Sequence, residues 1–476
     1  MNQNNNHHPK ERSNLKNIGI IGGGIAGLSC ASHLASYDYF TKITVFDTGR
    51  LRPGGRCSSR YPKDESKQNH GPLTNTILDH AAQMITISKS SLSSTNPTAF
   101  VQQLLEWEKE GIIKRYPNKS VYEIQKKKNK NKKSSLFIKT LNANDSNRVM
   151  FYGTNGTGSI PMAIANQNKL DIQQDVWVSP SNGVKYIQNK SSSSIWKIKA
   201  KGKVLGEYQQ IVIAHNGKCA DRLMSRTPAK SLHSLLRTNF SPTVPNYGGK
   251  KMTLNSIYSL TFAIPTKTIQ NIPSSYISGF IQNHPNLSFL SCATKKYPSS
   301  SSDNNIQIWT LLSSSKFAKR YKAPQENLPD EIVKEVTYRM LQSLEESLEL
   351  KNGTLAYLDP TKESFCTSVL DSKLQLWGAA VPLNTWKSND IINNTPVEGG
   401  FLYDSQYNVG ACGDWLLKSS IEGAWESGRR LAQWMMKVEQ EKNQKDDFNK
   451  WCVGLPPNGF FSASSAVSKA GIGSFS

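Results

Sequence analysis

Residues 18 to 27 read Ile18-Gly19-Ile20-Ile21-Gly22-Gly23-Gly24-Ile25-Ala26-Gly27. An apolar run thus ends in glycines at the spacing Gly-x-Gly-x-x-Gly, and apolar residues at helical spacing follow it. A second apolar run, Ile43 to Phe46, ends in Asp47 about twenty residues past the last glycine. This order of strand, glycine turn, helix, strand and acid predicts a βαβ unit that binds a dinucleotide.

Each residue type in this unit has a mechanical reason. Gly22 makes the tight turn, Gly24 lets a pyrophosphate approach the backbone, and Gly27 lets the helix pack on the strand. The N–H groups at the start of the helix, near Ile25 and Ala26, would face the phosphates together with the positive end of the helix dipole. The acid at the end of the second strand favours a ribose with a free 2′-hydroxyl, so FAD or NAD is expected rather than NADP.

Two further segments carry residues suited to the same ligand. Gly54-Gly55-Arg56 follows the ribose-binding acid, and its arginine is placed to meet a diphosphate as a bidentate donor. Near the C-terminus, a strand ends in Gly413-Asp414, and a small-residue helix containing Glu422 begins soon after. Asp414 can accept hydrogen bonds from the hydroxyls of a ribityl chain. Taken alone, the segment from Gly413 to Glu422 could instead be a capped helix that binds no ligand.

Composition limits the remaining classes of function. The chain has 476 residues, enough for two or three domains, and a formal net charge of +22. Residues 126 to 133 are Lys-rich, and strands are predicted at Ser120 to Gln125 and Ser135 to Thr140, so a solvated hairpin tip is expected there. A nuclear-import or polyanion-binding patch is the alternative, but no aromatic residues interleave the run, and nucleic acid is not the expected partner.

The cysteines give no sign of a metal site or a disulfide framework. Seven are scattered along the chain without a CxxC pair or metal-ligand spacing, which fits a reducing compartment. No apolar run reaches the length of a membrane span. The cytoplasm is therefore the expected location, and no membrane and no metal are expected as partners.

Taken together, these motifs are similar to those of FAD-dependent oxidoreductases related to renalase, a group allied to the flavin amine oxidases. The resemblance covers roughly residues 17 to 435 and also includes the segment Asp79-His80-Ala81-Ala82-Gln83. It implies FAD as the cofactor, with Ala26, Asp47 and Arg56 contacting it. It also implies that Gln83 and Met84 lie by the flavin, and that Gly413, Asp414 and Glu422 close around the ribityl chain and ring. Val184 is a candidate for a backbone contact to adenine.

The expected fold class is α/β, with a discontinuous FAD-binding Rossmann-type domain and a second α+β domain built on an antiparallel sheet. Residues 17–90, 165–240 and 396–437 are assigned to the first domain, and 91–164 and 241–395 to the substrate domain. Residues 1–16 are expected to form a disordered lead, and 438–476 a polar tail.

Three functions remain open at this stage. The first is a renalase-like oxidase that passes a hydride from a reduced nicotinamide to FAD and then to dioxygen. The second is a flavin amine oxidase or another flavin dehydrogenase, which an aromatic pair at the ring, such as Trp377 and Tyr403, would favour. The third is a non-catalytic flavin-binding scaffold. His80, in the flavin-proximal segment, is a weak candidate for direct catalysis, and the sequence also departs from the family where Asn216 and Gly217 replace a proline-containing turn.

Overall fold

The computed structural model describes most of the chain, with gaps. The described residues are 16–62, 71–128, 134–143, 146–188, 194–240, 251–298, 304–325, 327–359, 361, 364–386, 391–392, 395–396, 398–441, 451–455 and 463–464.

The strands and helices are numbered here in chain order. The strands are β1 Lys16–Ile21, β2 Phe40–Phe46, β3 Ser59–Arg60, β4 Leu78–Asp79, β5 Ile85–Ser88, β6 Ile113–Arg115, β7 Val121–Lys128, β8 Ser134–Thr140, β9 Arg148–Gly153, β10 Asp171–Gln173, β11 Val184–Ile187, β12 Ile195–Ala200, β13 Lys203–Tyr208, β14 Gln210–Ile213, β15 Leu254–Pro265, β16 Ser278–Ile281, β17 Leu287–Cys292, β18 Ile306–Ser313, β19 Ala356–Asp359, β20 Ser364–Thr367, β21 Asp371–Pro382, β22 Thr385–Trp386, β23 Ile391–Ile392, β24 Thr395–Pro396, β25 Phe401–Asp404, β26 Val409–Cys412 and β27 Ala463–Ser464. The helices are α1 Ile25–Ala35, α2 Lys89–Leu92, α3 Ala99–Lys109, α4 Ser159–Gln167, α5 Gly217–Met224, α6 Lys230–Phe240, α7 Ala293–Lys296, α8 Ser315–Arg320, α9 Asp330–Leu348 and α10 Ile421–Glu441.

A six-stranded sheet in the order β10-β2-β1-β14-β26-β25 forms the first layer of the fold. All of its pairs are parallel except β25–β26, and α1 connects β1 to β2 as the sequence predicts. The strands β1 and β14 read as nearly continuous apolar runs because helices or a further sheet cover both faces. α1, α4 and α10 pack on one face, whereas α5, α6 and the three-stranded sheet β11-β12-β13 cover the other.

A seven-stranded sheet in the order β21-β15-β18-β17-β16-β7-β8 forms the second large layer. It is antiparallel except for the pair β16–β7, which is parallel. α8 and α9 cover one face, and buried residues of α9 such as Met340 and Leu344 share a core with the sheet. The predicted fold class, a Rossmann-type α/β domain combined with a sheet-based second domain, is confirmed.

At both ends of the chain, the observed structure differs from the boundaries predicted from the sequence. Lys16, assigned to the lead, is the first residue of β1, and its amino group pairs with Glu439. The tail expected from residue 438 contributes to the core, because α10 runs to Glu441 and Trp451 is buried against it. The first part of the Lys-rich segment, Lys126 to Lys128, belongs to β7, which pairs antiparallel with β8. The hairpin tip predicted for this segment falls on residues 129–133, which lie outside the described residues.

Among the described residues, no helix combines the length and the apolar character needed to cross a membrane.

Candidate functional site

A cleft opens where the parallel strands of the six-stranded sheet end. Asp47, Gly22, Ala214 and Gly413 directly follow the carboxyl ends of β2, β1, β14 and β26, and all four line it. The carboxyl edge of an open parallel sheet is where ligands of such folds bind. About 1030 Å³ of empty space lies in the cleft and at its mouth, part of it open solvent.

The glycine turn after β1 has the geometry that the sequence predicts. Gly22 has φ +120°, a conformation that favours glycine, and its N–H donates to the carbonyl of Phe46 at 2.9 Å. A Cβ on Gly27 would lie 2.0 Å from the carbonyl oxygen of Gly22, so the helix can approach the turn only without a side chain there. A Cβ on Gly24 would meet no heavy atom within 4 Å. Gly24 therefore presents bare backbone to the cleft.

Asp47 offers the cleft a buried acceptor. Asp47 is 6% exposed, and its oxygen Oδ2 forms no hydrogen bond within the described part of the chain. Burial raises the pKa of Asp47, and the backbone N–H groups of Gly23, Gly49 and Thr48 oppose that shift. A buried acceptor without a partner is costly, and a ligand hydroxyl would satisfy it. The arrangement fits the ribose hydroxyls predicted for this position.

Arg56 and Asp414 both line the cleft, and they are paired with each other. Two hydrogen bonds of 2.8 Å join the guanidinium to the two carboxylate oxygens, and the same guanidinium donates to the carbonyl of Ala380 at 2.7 Å. Burial lowers the pKa of Arg56, but the carboxylate of Asp414 outweighs it, so the pKa is raised overall. Arg56, the predicted diphosphate donor, and Asp414, the predicted ribityl acceptor, therefore form one bidentate ion pair in the wall of the cleft. The two residues come from opposite ends of the chain.

Three helix starts face the same space. Ile25 at the start of α1, Asn216 before α5 and Ile421 at the start of α10 all line the cleft. Asn216 caps α5, since its side chain accepts hydrogen bonds from the N–H groups of Lys218 and Cys219. Helix N-termini carry partial positive charge, so their convergence favours an anion such as a diphosphate.

The remaining predicted cofactor contacts lie outside this cleft. Gln83 is buried, and its side chain donates to the carbonyl of Asp79 at 3.0 Å, while Met84 is buried in an apolar cluster. The segment lies directly behind the turn from Gly54 to Cys57, here called the arginine turn, because the N–H of Ala82 donates to the carbonyl of Arg56. Their contact with a flavin stays a prediction.

Glu422 and Val184 also point elsewhere. Glu422 pairs with Lys418 at 2.5 Å and lines a second pocket, whereas Ile421 and Ala424 of the same helix face the cleft. Val184 packs in β11 on the core beneath the six-stranded sheet. The structure thus places neither side chain in the cleft, and their predicted roles stay predictions.

The three candidates for catalysis fall in different places. Trp377 lines the cleft from β21, and its indole N–H is buried without a hydrogen bond within the described residues. Tyr403 is fully buried in β25 and belongs to the core, so the two do not form a pair at the cleft. His80 lines a separate small pocket, and burial lowers its pKa to about 4.

A buried charged cluster that the sequence analysis missed lies behind the arginine turn. The amino group of Lys296, 1% exposed, donates to Asp79 Oδ2 and to the carbonyl of Gln83, both at 2.7 Å. The hydroxyl of Tyr297 donates to the same carboxylate oxygen at 2.5 Å. Burial opposes ionisation of Asp79, but Lys296 and its hydrogen bonds outweigh it and lower the pKa of that carboxyl. The cluster fixes the segment from Asp79 to Gln83 against the second sheet.

The signal for this cluster was weak in the sequence. Lys296 and its half-buried neighbour Lys295 end the short helix α7, and neither residue stands in a recognisable motif. Three tyrosine rings surround the amino group of Lys296 at 5.3 to 5.9 Å, those of Tyr116, Tyr152 and Tyr297. Only the fold brings them together, since they come from three separate parts of the chain.

Comparisons with known proteins identify the same fold. Residues 20–92 match the NAD(P)-binding Rossmann-like domain family. A candidate protoporphyrinogen oxidase from Exiguobacterium sp. 255-15 is similar in structure, with 9% identity, 90% of this chain and 99% of that chain covered, and a TM-score of 0.53. A redesigned cofactor-binding variant of putrescine oxidase has 11% identity, coverage of 89% and 99%, and a TM-score of 0.50. At these identities the likeness establishes the fold.

Proposed function

We propose that the chain is an FAD-dependent oxidoreductase, a renalase-like oxidase that passes a hydride from a reduced nicotinamide-type donor to FAD and then to dioxygen. The main observation in support of the proposal is that residues from both large sheets line the cleft. Gly24 and Asp47 of the Rossmann-type sheet face it together with Trp377 and Ala379 of the second sheet. A site for a dinucleotide alone needs only the first sheet, whereas a reacting ring needs the second as well.

The residues present fit FAD on structural grounds. The orphaned oxygen of Asp47 suits a ribose hydroxyl, and the bare backbone at Gly24 suits a diphosphate. Arg56 would face the diphosphate and Asp414 the ribityl hydroxyls, each holding the other in position through their paired hydrogen bonds. Bound FAD would supply a two-electron acceptor able to reoxidise with dioxygen.

The wall contributed by the second sheet suggests the class of donor. Trp377 and Ala379 of β21 line that end together with Gln325 from the loop after α8, and the Gln325 side chain is held because its oxygen accepts from the N–H of Gly378 at 2.9 Å. These residues are uncharged and include one flat aromatic surface. They favour a flat, neutral dihydronicotinamide over an alkylammonium, which would require a carboxylate or an aromatic cage. Tyr403, the other half of the aromatic pair expected for amine oxidation, lies in the core.

An anaerobic spectrum with added donors tests the proposal. The purified full-length chain, loaded with FAD, is mixed with NADH, NADPH or a panel of amines such as putrescine. We expect a nicotinamide to bleach the flavin bands and air to restore them with formation of hydrogen peroxide. Bleaching by amines alone would replace the proposed donor with an amine. A flavin that stays oxidised with every donor would refute turnover and leave a flavin-binding scaffold.

Trp377 provides the matched variant for this experiment. Trp377→Leu keeps an apolar side chain but removes the flat surface, so we expect FAD to be retained while reduction by the nicotinamide slows. Trp177→Leu is the control, because Trp177 is about half exposed on the loop after β10 and does not line the cleft. Equal rates in both variants would contradict the placement of the donor against Trp377.

A further inference from the structure

His215 is a cleft residue that the proposed function does not use. It follows β14 and Ala214, and its Cδ2 would lie 2.9 Å from a Cβ placed on Gly22. The carbonyl of His215 accepts the indole N–H of Trp415 at 3.3 Å, which fixes the backbone. The ring therefore stands against the glycine turn. Because that turn is where a diphosphate would rest, the imidazole is placed beside the position of the phosphates.

The imidazole of His215 has no hydrogen-bond partner within the described residues, although it lines the cleft. Other histidines are committed to the protein: His33 Nδ1 lies 2.8 Å from the carbonyl of Ser29, and His284 Nδ1 accepts from the N–H groups of Asn286 and Leu287. A partly buried imidazole whose polar atoms meet only the cleft is suited to a ligand, since such atoms otherwise remain unsatisfied.

We propose that His215 is a diphosphate-binding residue that takes up a proton when the cofactor binds. The inference rests on the proposed FAD site and adds a proton-linked step to it. In the free cleft, burial lowers the pKa of His215 to about 4, so the ring is neutral near pH 7. A diphosphate beside the ring favours the imidazolium, which raises the pKa in the complex.

The direction of the pH dependence follows from linkage. The complex binds more protons than the free protein between the two pKa values of His215, so lowering the pH through that window tightens FAD binding. The other titratable groups of the cleft are Asp47 at the end of β2, Arg56 and Cys57 on the arginine turn, and Asp414 after β26. Burial is the cause of the lowered pKa of His215.

The test is the pH dependence of FAD binding to the full-length chain after removal of bound cofactor. Flavin fluorescence gives the dissociation constant from about pH 7.5 to about pH 5, and calorimetry in two buffers of different ionisation heat counts the protons taken up. We expect uptake of a fraction of a proton approaching one, and affinity that rises by up to about tenfold for each unit of decreasing pH. Riboflavin, which has no diphosphate, should bind without this slope.

Two variants separate His215 from general effects of acid. His215→Gln cannot be protonated and should lose both the proton uptake and the slope, whereas His284→Gln, on a loop of the second sheet, should keep both. Burial lowers the pKa of His284 as well, which makes it a matched control. Tight binding of FAD without proton uptake would overturn this inference and leave the proposed function intact. Failure of the chain to bind FAD at every pH would instead overturn the proposed function.

Discussion

Gly24 gives the most selective perturbation of the proposed cofactor site, because its missing side chain faces only the cleft. Its backbone is extended, with φ −78° and ψ 177°, so a valine can adopt the conformation. A Cβ there meets no protein atom within 4 Å. Gly24→Val should therefore cost the unliganded fold less than about 1 kcal/mol, the scale of a changed helix N-cap.

The same valine should strongly weaken the binding of FAD. Its methyl groups would occupy the space through which a diphosphate approaches the N–H groups at the start of α1. Charge-assisted hydrogen bonds contribute about 1.5–3 kcal/mol each, so losing two costs about 3–6 kcal/mol. That loss corresponds to a decrease in affinity of roughly 10²- to 10⁴-fold.

The assay for Gly24→Val combines an FAD titration with thermal unfolding of the protein without cofactor. We expect an unfolding temperature close to that of the parent chain and a large loss of FAD affinity. Gly27→Ala should show the opposite stability result, since its Cβ would lie 2.0 Å from the carbonyl oxygen of Gly22 and must displace the helix. Unchanged FAD affinity in a folded Gly24→Val protein would refute the placement of the diphosphate.

Three further predictions concern the charged pairs behind and beside the cleft. Arg56→Ala should weaken FAD retention by about 1.5–3 kcal/mol and leave Asp414 without its bidentate partner, whereas unchanged retention in an FAD titration would remove the arginine from the site. Lys296→Met should lower the free energy of unfolding by about 3–5 kcal/mol because it strands the buried carboxylate of Asp79. Lys295→Met is its control in denaturant titration, since the amino group of Lys295 donates to the carbonyl of the exposed Ser274 and to no buried carboxylate among the described residues, and equal losses would contradict the role of the buried pair. The lowered pKa of Asp79 also predicts stability that is present above about pH 4 and lost as the pH falls through the native pKa; melting curves should show this loss in the parent chain and a smaller one in Asp79→Asn.

The glycine turn could be predicted from the sequence because all of its information is local. The strand, the turn at Gly22 and the acid Asp47 lie within one βαβ unit, and each residue type follows from a backbone or hydrogen-bond requirement of that unit. The carboxyl edge of the sheet then gathers the ends of its parallel strands, so Gly413 lies at the same edge as Gly22, with Ala214, at the end of the intervening strand β14, between them.

Contacts between distant segments could not be predicted in the same way. Arg56 and Asp414 each suggested a ligand, but the sequence does not show that the two side chains are in bidentate contact. Lys296 gave only a weak signal, because its hydrogen-bond partners, Asp79 and Gln83, lie more than 200 residues earlier in the chain. Glu422 shows a second reason why a site prediction from sequence can fail, which is the direction of a side chain on its helix. Glu422 directly follows Ile421 in α10, and a step of one residue rotates the side chain by about 100° around the helix axis, so Glu422 points away from the cleft that Ile421 lines.

The C-terminal segment shows how composition can mislead. Residues 438 to 476 are polar and rich in Ser and Gly overall, which predicts a tail. A few apolar residues in this segment nevertheless pack against the rest of the fold. Trp451 is buried against α10, and the N–H and carbonyl of Val453 exchange hydrogen bonds with Tyr403 at 2.9 to 3.0 Å. A single tryptophan buries enough apolar area to hold a short segment in place.

A crystal structure of the chain grown with FAD tests the central claim most directly. The account predicts one FAD in the cleft, with an adenosine ribose hydroxyl on the Oδ2 of Asp47, the diphosphate against Gly24 and the flavin ring beside Trp377. A cleft that remains empty at saturating FAD, or an FAD bound with its diphosphate away from the glycine turn, would contradict it.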